Sequence, residues 1–342
     1  MPNADALFRP LGATFLVAAL ALGGAAQAQA PADTLLNASY DVSCALYKDI
    51  NPAFVAQRKA KTRQSLTVNQ SHGGSSAQAQ AVANGLEADV VTMNQSTDID
   101  LLAERGLVAA DWRKRFPHGA APYTSISVFL VRKGNPKKIL DWADLARPGL
   151  AVIIPNPKTS GNGRYTYLGA WGSVLAKGGT DAQAREFVGR FLANVAVLDG
   201  GGRGATTIFT QRNLGDVLVT FENEAALIAR EVGKEQFDIV YPSLTIEAEA
   251  PVAVNEKVTA KKGTQVPAKA YLDFMFTTPC QEIIAKHDFR PRDAAVLKVN
   301  AQRFPPVKTF TVDSLLGGWG AVYKLHFGDG GVYDQLIVAA RK

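Results

Sequence analysis

Three glycine-rich turns carry the residue types needed to bind a small anion. Each turn follows a β-type run and precedes a helical stretch. They are Ser71-His72-Gly73-Gly74-Ser75-Ser76, Thr159-Ser160-Gly161-Asn162-Gly163 and Gly200-Gly201-Gly202-Arg203-Gly204-Ala205-Thr206-Thr207. Backbone N–H groups at a helix N-terminus lack helical partners and carry partial positive charge, and glycine lets an anion approach them closely. Taken singly, each turn is equally typical of an ordinary helix cap or tight turn. Three in one chain predict an anion site built from backbone donors.

Nucleotide chemistry fits these turns poorly. No Lys-Ser or Lys-Thr follows a glycine at the Walker spacing. The third turn, written Gly200-x-Gly202-x-x-Ala205 with Glu222 and Glu224 downstream, does satisfy the dinucleotide fingerprint. It lies in the middle of the chain instead of opening a Rossmann half. The first thirty residues also indicate export, as described below, and an exported chain meets little nicotinamide cofactor. We therefore expect no cofactor.

Catalytic patterns are weakly represented. The chain contains neither a G-x-S-x-G elbow nor an H-E-x-x-H motif. Its histidines lie far apart, without the spacing of metal ligands: His72, His118, His287 and His326. Ser71 and His72 are neighbours whose side chains would point apart in an extended segment. We expect no catalytic residues, no metal site and no enzyme activity; the alternative from another class is an exported hydrolase using Ser71 or Ser160.

Alternating strand-like and helical segments must position these turns. This alternation predicts an α/β fold with parallel sheets and crossover helices. The predicted strands are 66–68, 88–92, 126–132, 151–154, 195–198 and 216–221, and the predicted helices are 77–86, 98–106, 164–176 and 181–193.

Two long β-type segments, Ser125–Arg132 and Ala250–Val254, have the character of passages between two lobes. They predict lobe I from residues 31–123 plus 250–342 and lobe II from residues 124–249. Small ligands bind preferentially in clefts between domains, so we expect the site between the lobes.

The first thirty residues resemble a secretory signal. Arg9 precedes an apolar run from Leu11 to Ala26 and a small-residue stretch, with cleavage predicted after Ala28 or Ala30. The run is short for a membrane span, and no cysteine stands where a lipid could be attached. We expect a soluble mature protein of about 310 residues, large enough for two lobes, in the periplasm and without a lipid anchor.

The formal net charge of +6 comes from scattered lysines and arginines, without the dense basic run that nucleic-acid binding needs. A mild positive field suits an anionic ligand. An oxidising compartment would allow Cys44 and Cys280 to pair. Two separate buried thiols are the favoured interpretation, because distance along the sequence says nothing about the Cα separation that a disulfide requires.

Together these segments resemble a known family, the periplasmic sulfate- and thiosulfate-binding proteins of ABC importers. The resemblance covers nearly the whole mature chain. The matching segments are 35–41 (LLNASYD), 70–75 (QSHGGS), 121–125 (APYTS), 129–136 (FLVRKGNP), 155–162 (PNPKTSGN), 201–207 (GGRGATT), 216–218 (DVL), 222–224 (ENE) and 317–319 (GGW).

The resemblance implies the type II periplasmic-binding fold, whose two α/β lobes close over the ligand. It also implies that the protein is a monomer whose partners are the anion and a membrane-embedded ABC permease. The ligand contacts that it implies are Asp41, Ser75, Ser160, Gly161, Asn162, Gly202 and the position of Phe221. Arg203 would balance charge near the Gly202 loop without touching the ligand.

Phe221 departs from the sulfate-specific branch, which carries tryptophan there and uses its indole N–H as a donor. Phenylalanine at this position and the forms of the second and third turns resemble the thiosulfate branch, whereas residues 72–74 and 289–293 resemble the sulfate branch. The sequence leaves sulfate and thiosulfate open, with use of both expected. Molybdate or phosphate binding by the same fold is the alternative within the class.

Overall fold

The structure is a computed structural model that describes residues 33–231, 233 and 235–341. The predicted signal peptide, residues 1–30, and its cleavage site lie outside the described residues. Within the described part of the chain, no helix has the length and apolar character needed to cross a membrane.

The strands form two separate sheets. Over the described residues they are β1 (Thr34–Tyr40), β2 (Thr67–Gly73), β3 (Val90–Thr92), β4 (Tyr123–Arg132), β5 (Val152–Pro155), β6 (Val195–Asp199), β7 (Val217–Phe221), β8 (Phe237–Val240), β9 (Leu244–Glu249), β10 (Val252–Val254), β11 (Arg290–Pro291) and β12 (Lys308–Phe310).

Helices connect most of these strands. They are α1 (Cys44–Thr62), α2 (Ser75–Ala83), α3 (Ser96–Glu104), α4 (Pro117–Ala120), α5 (Gly161–Leu175), α6 (Asp181–Ala193), α7 (Gly202–Thr210), α8 (Glu222–Glu231), α9 (Glu256–Lys262), α10 (Gln265–Phe274), α11 (Thr278–Lys286), α12 (Ala294–Val299), α13 (Val312–Leu316), α14 (Trp319–Val322) and α15 (Val332–Ala340).

The smaller sheet has the strand order β10-β3-β1-β2. Strand β1 pairs in parallel with β2 and β3, and β10 is antiparallel to β3. The larger sheet has the order β12-β9-β4-β7-β5-β6, with β8 and β11 also paired to β4. Its β5, β6 and β7 are parallel to one another. The expected α/β fold with parallel strands and crossover helices is therefore confirmed.

The chain passes from the larger sheet to the smaller sheet at Ala250 and Pro251, at the start of the predicted segment Ala250–Val254. The strand beside β4 is β9, and Val252–Val254 instead forms an edge strand of the smaller sheet. Pro251 separates the two strands, because proline has no backbone N–H for a sheet ladder. The larger sheet also receives β11 and β12 from the C-terminal part, and the predicted lobe bounds, 31–123 plus 250–342 and 124–249, stay a prediction.

Helix α5 packs against the larger sheet. Its residues 161–173 are all buried, so this stretch has no solvent-exposed face. Two glycines make this packing possible: a Cβ on Gly169 would lie 2.7 Å from the Trp142 ring, and one on Gly172 would lie 2.2 Å from the Phe310 ring. Aromatic side chains from two other elements therefore pack directly against the backbone of the C-terminal half of this helix.

Cys44 and Cys280 are both free thiols in the structure. Cys280 is fully buried, and burial raises the pKa of its thiol. Of the two arrangements left open by the sequence, the structure has the separate thiols.

Candidate anion-binding site

A small cavity forms where the three glycine-rich turns meet the turn that follows β1. All seven residues predicted to contact the ligand line this cavity. The complete lining is Asp41, Val42, Gly74, Ser75, Asn94, Thr159, Ser160, Gly161, Asn162, Gly200, Gly201, Gly202 and Phe221.

Sheet geometry explains why residues so distant in sequence meet. Tyr40 at the end of β1 pairs with Gly73 at the end of β2, and Pro155 at the end of β5 pairs with Asp199 at the end of β6. The carboxyl ends of parallel strands share one edge of a sheet, which is where ligands bind in open α/β sheets. The cavity thus lies at the carboxyl edges of both sheets.

Helix α2 contributes its first turn. Gly74 is the N-cap, and Ser75 begins the helix. The Ser75 hydroxyl donates to Asp98 Oδ2 (2.5 Å) and accepts from the backbone N–H of Asn94 (3.1 Å). Because that hydroxyl is occupied, Ser75 can offer an anion its backbone N–H, which has no partner within the helix.

Helix α5 contributes a hydroxyl as well as backbone donors. The N-cap Ser160 accepts a hydrogen bond from the Gly163 N–H at its hydroxyl oxygen (3.4 Å), and its own N–H donates to the Asn156 carbonyl (2.9 Å). The hydroxyl proton therefore remains to be donated. Asn162 Nδ2 donates to Thr220 Oγ1 (3.1 Å), so its side chain is directed to β7 while its backbone N–H stays at the first turn.

Helix α7 provides the third N-terminus. The Gly201 N–H donates to Asp199 Oδ1 (3.0 Å), which positions the turn before Gly202. A Cβ on Gly204 would lie 1.8 Å from the same carboxylate oxygen. Glycine at 204 therefore leaves room for the carboxylate that fixes this turn.

Besides the carboxylates of Asp98 and Asp199, the charged groups beside the cavity include Asp41, Glu224 and Arg203. Burial raises the pKa of Asp41, while a hydrogen bond from the Val42 N–H (3.0 Å) and the Arg203 charge oppose the shift. Burial raises the pKa of Glu224 to about 7, with Arg203 opposing and Asp41 adding to the shift. Arg203 Nη2 lies 3.5 Å from Glu224 Oε1 and does not line the cavity.

Phe221 closes the cavity with an apolar wall at the end of β7. Its side chain is buried and packs edge-on against Tyr165, with ring centroids 5.7 Å apart. A phenyl ring has no N–H or O–H to donate. This wall excludes water without contributing a hydrogen bond.

Sequence reasoning missed six residues of the lining. Four of them belong to the same glycine-rich turns and could have been included on that ground, namely Gly74, Thr159, Gly200 and Gly201. Val42 follows the predicted Asp41. Asn94 carried no sequence signal, because it comes from the loop after β3 and approaches Gly161 only in the folded chain: a Cβ on Gly161 would lie 2.2 Å from Asn94 Oδ1.

The cavity is small. Its volume is about 10 Å³, compared with about 360 Å³ for an apolar groove beside Trp112 and about 660 Å³ for a cleft beside Arg164. About 10 Å³ is close to the room that one water molecule needs. The cavity therefore suits a compact ion and not an organic metabolite.

Nucleophilic chemistry finds no support at either candidate serine. The Ser71 hydroxyl donates to Gln78 Oε1 (3.0 Å), and His72 Nδ1 lies 2.5 Å from the Ser39 hydroxyl instead. Among the residues that the structure describes, neither Ser71 nor Ser160 is hydrogen-bonded to a histidine.

Comparisons with known proteins agree with this architecture. The model of the bacterial extracellular solute-binding protein family matches residues 35–290. A thiosulfate-binding protein of Pseudomonas aeruginosa is 55% identical over 96% of this chain and 98% of that protein. A sulfate-binding protein of Escherichia coli is 50% identical over 95% and 98%.

A solved structure is also similar over most of the chain. The sulfate-binding protein SubI from Mycobacterium tuberculosis H37Rv superposes with a TM-score of 0.77 at 34% identity, over 86% of this chain and 99% of that one. The two-lobed type II periplasmic-binding fold is thereby confirmed. The chain belongs to the family of bacterial extracellular solute-binding proteins.

Proposed function

We propose that this protein captures sulfate or thiosulfate in the periplasm and delivers it to the membrane permease of an ABC importer. The observation that carries this proposal is the meeting of three helix N-termini on one small cavity. The named ligands of its relatives, thiosulfate and sulfate, support it. The protein acts by binding alone, as a monomer without a lipid anchor, and needs neither catalytic residues nor a cofactor.

Binding a dianion requires the site to replace its hydration shell. Removing a charged group from water is costly unless fixed donors compensate. The first turns of α2, α5 and α7 together with the Ser160 hydroxyl supply such donors, and each hydrogen bond to a charged group contributes about 1.5 to 3 kcal/mol. Several donors acting together offset the desolvation of a dianion without a neutralising cation in contact with it.

The donor-rich lining also discriminates against phosphate. Near neutral pH phosphate retains a proton, which needs an acceptor when it is buried. Asp41 is the carboxylate on the cavity wall; its Oδ1 accepts from the Val42 N–H, and its Oδ2 is the carboxylate oxygen that a phosphate proton would have to reach. Fully ionised sulfur oxyanions need no acceptor, so the site favours them.

Both sulfur oxyanions fit this chemistry. Each is a dianion that accepts hydrogen bonds from the same backbone groups. Phe221 offers no hydrogen-bond donor at the position where the sulfate branch has the indole N–H of a tryptophan. An apolar wall there suits the weakly hydrated terminal sulfur of thiosulfate. The protein therefore binds thiosulfate at least as tightly as sulfate.

Calorimetric titration of ligand-stripped mature protein tests this function. Sulfate, thiosulfate, molybdate and phosphate are compared at neutral pH in a chloride buffer. We expect tight binding of sulfate and thiosulfate and no measurable heat of binding for phosphate. Preferential binding of molybdate would show that the protein binds an oxyanion other than sulfate or thiosulfate. No heat of binding with any of the four anions would contradict the proposal.

A further inference from the structure

Lys158 immediately precedes the second glycine-rich turn, two residues before Ser160, and its side chain is directed away from the cavity. Its Nζ donates to Asp334 Oδ2 (2.8 Å) and to the carbonyl oxygens of Phe327 (3.0 Å) and Gly328 (3.3 Å). These acceptors lie 169 to 176 residues later in the sequence. One lysine thus joins the turn of the site to the C-terminal segment that contains α15.

The turn is connected to Ser160 through its own backbone. The Asn156 carbonyl accepts from the N–H groups of Thr159 (3.1 Å) and Ser160 (2.9 Å), and Asn156 Oδ1 accepts from the Lys158 N–H (3.0 Å). Tyr333 of α15 donates from its hydroxyl to the same Asn156 Oδ1 (3.3 Å). A displacement of the lysine would therefore move the turn that holds Ser160.

The first turn of α5 is attached to the same point. Arg164 Nη2 donates to the Lys158 carbonyl (3.1 Å), and the Arg164 guanidinium lies over the rings of Tyr323 and Phe327 at 5.6 and 5.8 Å. Asp334 is fixed in turn by the Gly330 N–H, which donates to its Oδ2 (2.9 Å). Lys158 and Asp334 are each about 30% exposed, so their ion pair is partly shielded from water.

We propose that the Lys158–Asp334 pair is a positioning element of the oxyanion site, through which the C-terminal segment sets the location of the Ser160 hydroxyl and the first turn of α5. The inference rests on the proposed function and adds to it two residues that do not line the cavity. A donor misplaced by about 1 Å loses much of its contribution, which is why a contact outside the cavity can affect affinity.

The experiment must separate positioning from simple charge, because Lys158 also adds a positive charge near an anion. Replacing Lys158 with alanine weakens binding under both explanations. Replacing Asp334 with alanine separates them: loss of a negative charge alone would strengthen anion binding, whereas loss of positioning weakens it. Asp334→Asn keeps an acceptor for Lys158 and should retain most of the affinity.

Calorimetry with sulfate and thiosulfate is combined with amide hydrogen exchange of the ligand-free protein. Lys177→Ala is the matched control, since Lys177 makes a similar ion pair with Asp141 (3.2 Å) just beyond the other end of α5. We expect K158A and D334A each to bind about tenfold more weakly, and the double variant to be less than additive, because the two residues form one contact. K177A should bind as the wild type does.

Hydrogen exchange tests the inference without any ligand. Amides of residues 159–164 should exchange faster in K158A and D334A than in the wild type or K177A. Wild-type affinity in D334A, or tighter binding, together with unchanged exchange, would overturn the inference. No binding by the wild type would contradict the proposed function instead, and the exchange data would still decide whether the pair positions this turn.

Discussion

Ser160 performs two tasks with one hydroxyl. Its oxygen caps α5 by accepting from Gly163, and its proton is left for the cavity. Ser75 shows the opposite arrangement, because its hydroxyl donates a hydrogen bond to Asp98 and is not free to donate to a ligand. Both serines lie in glycine-rich turns at the start of a helix. Ser160 can offer its hydroxyl to a ligand, whereas Ser75 can offer only its backbone N–H.

Ser160→Ala should weaken sulfate and thiosulfate binding by about tenfold to a hundredfold, because it removes one hydrogen bond to a charged group. Titration calorimetry measures the change. Ser71→Ala is the matched control: its hydroxyl contacts Gln78 outside the cavity and should leave affinity unchanged. An S160A protein with wild-type affinity would show that Ser160 is not a ligand contact.

Glu224 should make the folded protein less stable as the pH rises. Both of its carboxylate oxygens are buried without a hydrogen-bond partner among the described residues, and its pKa rises from 4.5 to about 7. Below pH 4.5 the carboxyl group is protonated in both states, and above pH 7 the folded protein must bury the charge. The resulting penalty is at most about 3 kcal/mol.

Glu224→Gln should therefore increase the free energy of unfolding at pH 8 and change it little at pH 4.5. Urea unfolding at a series of pH values measures this difference. Glu282→Gln removes the same charge from an exposed position on α11, which does not contribute to the pKa shift of Glu224, and serves as the control. Equal stabilisation by both substitutions, or a gain that does not grow with pH, would contradict the assignment.

At the scale of elements, the site depends on how closely α5 approaches the end of β5. Gly163 permits this approach, since a Cβ there would lie 2.4 Å from the Pro155 carbonyl oxygen and 2.7 Å from the Asn156 carbonyl carbon. Both obstacles are backbone atoms that cannot rotate away. The glycine-rich character of this turn is therefore also a packing requirement.

Gly163→Ala should destabilise the protein by about 1 to 3 kcal/mol, because overpacking forces backbone shifts, and should weaken anion binding at the same time. Gly189→Ala on α6 is the control, since its Cβ would meet only Leu336 Cδ2 at 3.6 Å. Alanine there should raise stability by about 0.5 to 1 kcal/mol, because glycine is unfavourable inside a helix. Thermal unfolding and calorimetry report both effects, and a G163A protein as stable as the wild type would contradict the packing argument.

At the scale of the whole molecule, the cavity draws its walls from elements that follow different sheets. Asn94 follows a strand of the smaller sheet, and Gly161 follows a strand of the larger one. The Asn94 side chain nevertheless packs against the backbone of Gly161. An anion bound by both sides stabilises the arrangement in which they meet, and so shifts the population toward it.

Sulfate or thiosulfate should therefore reduce the radius of gyration measured by small-angle X-ray scattering. Gly161→Ala should abolish most of this reduction, because its Cβ would lie 2.2 Å from Asn94 Oδ1. Gly189→Ala is again the control, since Gly189 is not part of the cavity lining and its Cβ would meet only Leu336 Cδ2 at 3.6 Å. An unchanged radius at saturating anion in the wild type would count against ligand-driven closure.

The amino-acid sequence by itself determined the local architecture of the site. Glycine-rich turns after β-type runs predicted three helix N-termini, and α2, α5 and α7 begin at Ser75, Gly161 and Gly202. The bounds of α6 were predicted correctly from its amphipathic pattern, and in the structure Thr180 and Gln183 form a capping box at its start. The start of α5 was predicted three residues late, since glycine has low intrinsic helix propensity, and α1 was not predicted.

Only the tertiary structure decided which groups are free to bind. Three contacts show this. Ser75 donates its hydroxyl to Asp98, 23 positions away, and the Asn94 side chain lies close to Gly161, 67 positions away. Lys158 pairs with Asp334, 176 positions away. Helix starts follow from interactions within a few residues, which a sequence displays directly. Hydrogen bonds between distant segments depend on how the elements pack, and no local pattern encodes that packing.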